Sequence, residues 1–145
     1  MEAESMPTYW VYSCEIPVRW GDMDAYGHVN NTVYFRFLEE ARVQMLADWG
    51  AGDIHNSTIA PVIINAGCTF LRPIDYPNTV KVDCYIGQLG RSSVMTYYKV
   101  YTVSNPEIVT TEGYAKTVWM DHSTGKSAPI PDPIRARLEQ FMQVS

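Results

Sequence analysis

Between Tyr9 and Trp20 the run YWVYSCEIPVRW alternates in polarity. Its period of two predicts a strand in which Trp10, Tyr12, Cys14, Ile16, Val18 and Trp20 share one face, and Pro17 points to a sheet edge or a bulge. From Asn31 the period lengthens. Tyr34, Phe37, Leu38, Ala41 and Met45 recur at three and four, while Arg36, Glu39 and Glu40 fall mostly on another face. This spacing predicts an amphipathic helix of about four turns, capped at its start by Asn30 or Asn31 and closed by Gly50 in the left-handed conformation.

After a loop around GAGDIHNS, four further runs read as strands, at about 58–71, 79–89, 92–103 and 107–120. Turn signals separate them: RPIDYPN and SNPE carry proline with asparagine or aspartate, and QLGRSS is a short hairpin connection. Val80, Val82, Cys84 and Ile86 alternate with Lys81, Asp83 and Tyr85, and such short links favour antiparallel neighbours. The closing segment PDPIRARLEQFMQVS carries a short helical stripe of Ile134, Leu138, Phe141 and Met142. The order strand, long helix, four strands, short helix predicts an α+β domain of two layers, with an antiparallel sheet of about five strands against one long helix. An exposed sheet edge in such a domain invites a partner.

Composition narrows the possibilities. The 145 residues fit one domain spanning 1–145, without internal repeat or linker, and 46% hydrophobic residues suffice for a core. Ten tyrosines and four tryptophans supply aromatic surface for packing, a binding slot or a subunit interface. A net charge of -5 argues against nucleic acid or an anionic membrane as a partner. No stretch approaches the roughly 20 apolar residues of a membrane span, and the opening MEAESMP is acidic, so a cytoplasmic location is expected. Cys14, Cys68 and Cys84 are widely spaced and odd in number, which fits reduced thiols better than a disulfide framework or zinc. His28, His55 and His122 show no ligand spacing, so no metal is expected. STGKS at 123–127 lacks the glycine a phosphate loop requires, and no Gly-x-Ser-x-Gly elbow is present.

The most concentrated polarity lies just before the helix, in VRWGDMDAYGHVNNTVYFRFLEEAR. Asp22 and Asp24 there sit beside unpaired backbone N–H groups and the positive end of the helix dipole. A carbonyl oxygen held at such a place is polarised, and a nearby carboxylate can attack the carbon or take a proton from water. The same residues also suit a plain capped turn.

The segment RWGDMDAYGHVNNTVYFRFLEEAR resembles the signature of the 4-hydroxybenzoyl-CoA thioesterase-like family of hotdog-fold acyl-CoA thioesterases, and LRPIDYPNTVKV and LGRSS resemble its later strands. The resemblance covers nearly the whole chain and implies a hotdog fold, with the sheet wrapped around the long helix. It implies an acyl-CoA thioesterase that releases a carboxylic acid and coenzyme A without a cofactor. Asp24 would be the catalytic general base or nucleophile, with Asp22 ordering the loop. Asn31, at the helix start, would offer its backbone N–H to the thioester oxygen. His28 would orient substrate or water, and Gly27 and Tyr26 would border the substrate. Arg91 would meet a phosphate of coenzyme A, with Ser92 adding a hydrogen bond. Family sites lie between subunits, which implies a homodimer at least, with a homotetramer as the larger form. An acyl-carrier-protein thioesterase is the alternative enzyme, and a hotdog module that binds acyl thioesters without cleaving them is the alternative of another class.

Overall fold

The computed structural model describes residues 7–50 and 57–143. The acidic opening segment, most of the GAGDIHNS loop with His55, and the last two residues lie outside the described residues. Strand β1 (Tyr9–Pro17) leads through a single 3-10 turn (Trp20–Asp22) to helix α1 (Asn31–Asp48). Strands β2 (Ile59–Phe70), β3 (Thr79–Leu89), β4 (Ser93–Thr102) and β5 (Thr111–Asp121) follow, then a two-residue β6 (Lys126–Ser127) and helix α2 (Asp132–Gln143). The strands pair antiparallel in the order β1-β3-β4-β5-β2, with β6 beside β5.

Helix α1 forms as its periodicity predicts. Tyr34, Phe37, Leu38, Ala41 and Met45 are buried, Asn30 caps the start by accepting the Thr32 N–H at 3.0 Å, and Gly50 takes a φ of 97° just past the end. The buried stripe joins Val80, Val82, Ile86 and Val100 of the sheet in one core. Complete burial of Phe37 alone contributes about 1.5–3 kcal/mol. The helix rides close over β5, where a Cβ on Gly113 would stand 2.7 Å from Leu38 Cδ1. Ile134 and Leu138 of α2 close the core at the other end. This is the hotdog arrangement, a curved antiparallel sheet around one long helix. No helix among the described residues is long and apolar enough to cross a membrane.

Three details differ from the sequence reading. The face expected for β1 breaks because its pairing with β3 shifts between Trp10 and Tyr12. One extra residue at a bulge reverses the alternation, so Val11 is 2% exposed while Trp10 is 52% exposed. Trp20 lies beyond the strand in the 3-10 turn, with its ring edge-on to Tyr76 at 5.6 Å. β5 begins at Thr111 and not at 107. The SNPE turn runs on, with Ile108 N–H donating to the Asn105 carbonyl at 3.1 Å. Finally, α1 has 18 residues, about five turns and not four. Pro17 ends β1 at the sheet edge, where its missing N–H costs no ladder bond.

Candidate active site

The polar segment before α1 folds into a tight excursion between Asp22 and Asn30. Met23 and Val29 form a bridge across its base, the Asp24 N–H donates to the His28 carbonyl at 2.8 Å, and the Gly27 N–H donates to the Asp24 carbonyl at 3.3 Å. Gly27 has a φ of 84°, a conformation that costs other residues roughly 1–2 kcal/mol. A Cβ there would meet nothing of this chain within 4 Å, so among the described residues it is the turn conformation that calls for glycine.

Asp22 fastens this excursion to the helix. It is 1% exposed, accepts the Arg19 N–H at 2.7 Å, and pairs with Arg36 of α1 at 2.8 Å and with Arg19 at 3.3 Å. Its carbonyl also takes the Asn30 N–H at 2.9 Å. Asp22 therefore orders the loop, the supporting part expected of it.

Asp24 is half-buried. Its Oδ1 accepts the N–H groups of Tyr26 at 2.8 Å and His28 at 3.3 Å, which fixes the carboxylate and leaves Oδ2 unpartnered among the described residues. At the helix start the Thr32 and Val33 N–H groups are taken by Asn30, while the Asn31 N–H has no acceptor among the described residues. A fixed carboxylate with one open oxygen thus stands near an open helix-terminal donor.

Asp24, His28 and Asn31 line one cleft of about 390 Å³. Tyr34 and Phe70 form its apolar floor, edge-to-face with centroids 5.0 Å apart, and residues 71–73 form a second wall. Burial raises the Tyr34 phenol above its ordinary range, partly countered by the Ile74 backbone, with Asp24 and Asp75 pushing the same way as burial. Tyr34 is therefore neutral floor. His28 is at the rim, half exposed, with Nε2 3.9 Å from Asp75.

The other expected residues lie elsewhere in this chain. Tyr26 points to solvent, 87% exposed, and neither it nor Gly27 lines the cleft. Arg91 and Ser92 belong to the β3–β4 hairpin, where the Arg91 carbonyl accepts from the Ile130 N–H and from Arg135, each at 3.0 Å. Of the stripe Tyr34, Phe37 and Met45, Tyr34 reaches the cleft and the other two are core. One cleft cation, Arg72, escaped the sequence reading. The run LRPIDYPN reads only as a turn, and nothing local signals that the end of β2 meets the loop before α1.

Known proteins resemble this chain in sequence and fold. A long-chain acyl-CoA thioesterase of Escherichia coli (strain K12), FadM, is 30% identical over 135 residues, covering 89% of this chain and 98% of that protein. The solved PA2801 protein of Pseudomonas aeruginosa, proposed to be a thioesterase, is 43% identical with a TM-score of 0.85, over 89% of this chain and 98% of that one. A proposed acyl-CoA thioesterase of Xanthomonas campestris is 32% identical with a TM-score of 0.73, over 83% and 99%. With the fold and the cleft, these relatives make the chain a thioester hydrolase. It belongs to the thioesterase-like superfamily, whose family model matches residues 18–138.

Proposed function

We propose that the protein hydrolyses an acyl-CoA to a carboxylic acid and coenzyme A, with Asp24 as the attacking or base carboxylate. One observation carries the reading: Asp24 Oδ2 and the Asn31 N–H, both without partners among the described residues, share a single cleft. The carbonyl oxygen accepts from the Asn31 N–H, and the charge that develops on it is met by a fixed donor at a helix start. By the general-base route, Asp24 takes a proton from water, the hydroxide adds to the carbonyl carbon, and the C–S bond breaks to release thiolate, which recovers a proton. By the nucleophilic route, Asp24 forms a mixed anhydride as the thiolate leaves, and water then cleaves the anhydride. His28 orients water or substrate from the rim.

The reading includes a homodimer at least. β2 is a sheet edge of 12 residues carrying Ile64 at 58% exposure, an edge that a second copy would cover. Arg91 and Ser92, away from their own chain's cleft, are then assigned to the coenzyme A bound at the second subunit. Tyr26 and Gly27 keep their assignment beside the substrate through the turn that carries Asp24.

The test is thiol release from short, medium, long and aromatic acyl-CoAs by wild type and Asp24→Asn. The variant is expected to lose on the order of 10²–10⁴-fold in kcat. Equal turnover by the variant refutes the role of Asp24. Label recovered in Asp24 after a single turnover in ¹⁸O-water establishes the nucleophilic route, since only an anhydride opened at the Asp24 carbonyl puts it there.

A further inference from the structure

Arg72 has no part in the chemistry above, yet its backbone is held while its side chain is exposed. It lies two residues past the end of β2. The N–H groups of Leu71 and Arg72 both donate to the Thr110 carbonyl, at 2.8 and 3.0 Å, and nearby Ile74, 1% exposed, accepts the Val29 N–H at 2.9 Å. The wall carrying Arg72 is thus tied to the sheet on one side and to the Asp24 loop on the other.

Within the cleft Arg72 is the arginine that shares the lining with Asp24. Opposite charges in so small a space attract, but Arg72 forms no ion pair among the described residues. Asp24 is held by the N–H groups of Tyr26 and His28, and the backbone of Arg72 by the Thr110 carbonyl. The cleft therefore offers a carboxylate and a guanidinium that are not paired with each other. A thioester attacked by Asp24, or by its water, brings its acyl oxygen into the same cleft.

Resting on the thioesterase reading, we infer that Arg72 contacts the acyl oxygen: it donates to that oxygen as charge develops and then to the carboxylate product, complementing the Asn31 N–H. A guanidinium suits this task because its paired N–H donors match both oxygens of a carboxylate.

Two measurements test it. In the first, hexanoate and hexanamide are titrated calorimetrically into wild type and Arg72→Ala. Hexanoate binding is expected to weaken about 10-fold or more in the variant, as for loss of one charged hydrogen bond, while hexanamide binding changes little. An unchanged hexanoate affinity overturns the inference whether or not the protein is a thioesterase. In the second, hexanoyl-CoA and hexanoyl-pantetheine are hydrolysed by both proteins and by Arg72→Lys. Arg72→Ala is expected to lower kcat on both substrates alike, by about 10²-fold, with partial recovery in Arg72→Lys or on adding guanidinium. A rise in KM confined to hexanoyl-CoA would make Arg72 a phosphate anchor and overturn the inference. If wild type turns over neither thioester, the thioesterase reading fails, and the hexanoate titration still decides the role of Arg72.

Discussion

Asn31 separates what a backbone does from what a side chain does. It is the first residue of α1, where proline is well tolerated, and Asn30 before it has φ -64° and ψ 138°, the extended conformation that a following proline favours. Asn31→Pro removes the N–H without breaking the helix, whereas Asn31→Ala keeps it. Asn31→Pro is expected to keep the thermal midpoint of wild type and lose roughly 10²–10³-fold in kcat, with Asn31→Ala close to wild type. A comparable loss in both would return the role to the side chain. That Asp24 and Asn31 would come together was legible in the sequence because the motif, the turn and the helix start lie within ten residues. Arg72 was not, because it reaches the cleft by a tertiary meeting that no local spacing records. Arg91 was the more visible cation, but its hairpin packs toward α2 and away from the cleft of its own chain.

At the scale of elements, the loop carrying Asp24 depends on Asp22 as much as on its own turn. Replacing Asp22 with alanine strips Arg36 of a carboxylate at 2.8 Å and frees the Arg19 end of the loop, while the Asn30 N–H keeps its bond to the backbone carbonyl of residue 22. A loss of about 2–3 kcal/mol is expected from the urea midpoint, below the ~3–5 kcal/mol of a fully buried pair because Arg19 and Arg36 remain partly solvated. The contact of α1 with β5 sets a second limit. Gly113→Ala would press a methyl against Leu38 and come within 3.2 Å of the Gly67 carbonyl, costing about 1–3 kcal/mol in the same assay. The elements themselves were readable: the buried face of α1 is the stripe its spacing predicts. The bulge at Val11 was not, since TyrTrpValTyr carries apolar residues at every position and either alternation fits the letters.

For the molecule as a whole, buried acidic groups shape the response to alkali. Burial raises Tyr98 to about 12, though Arg42, donating to its hydroxyl at 3.1 Å, pulls it back. Burial likewise raises Cys14 to about 11 and pushes Cys84 higher still. In each case the unfolded chain loses its proton first, so the stabilisation is intact below about pH 9 and declines from there, for the thiols first and for Tyr98 between about 10 and 12. Urea midpoints from pH 8 to 11.5 are expected to fall along that course, and Tyr98→Phe to flatten its upper part. Cys84, 0% exposed, is expected to resist alkylation at pH 8 until the protein unfolds. The two-walled cleft has a consequence of another kind. The carboxylate and the helix-start donor come from residues 24–31, whereas the second wall comes from residues 70–73, and one backbone bond, Val29 to Ile74, joins them. Inheritance can thus revise Leu71 or Pro73 while leaving the Asp24 loop alone, so that the cleft changes shape by a few letters after β2 without rebuilding the turn and helix start opposite.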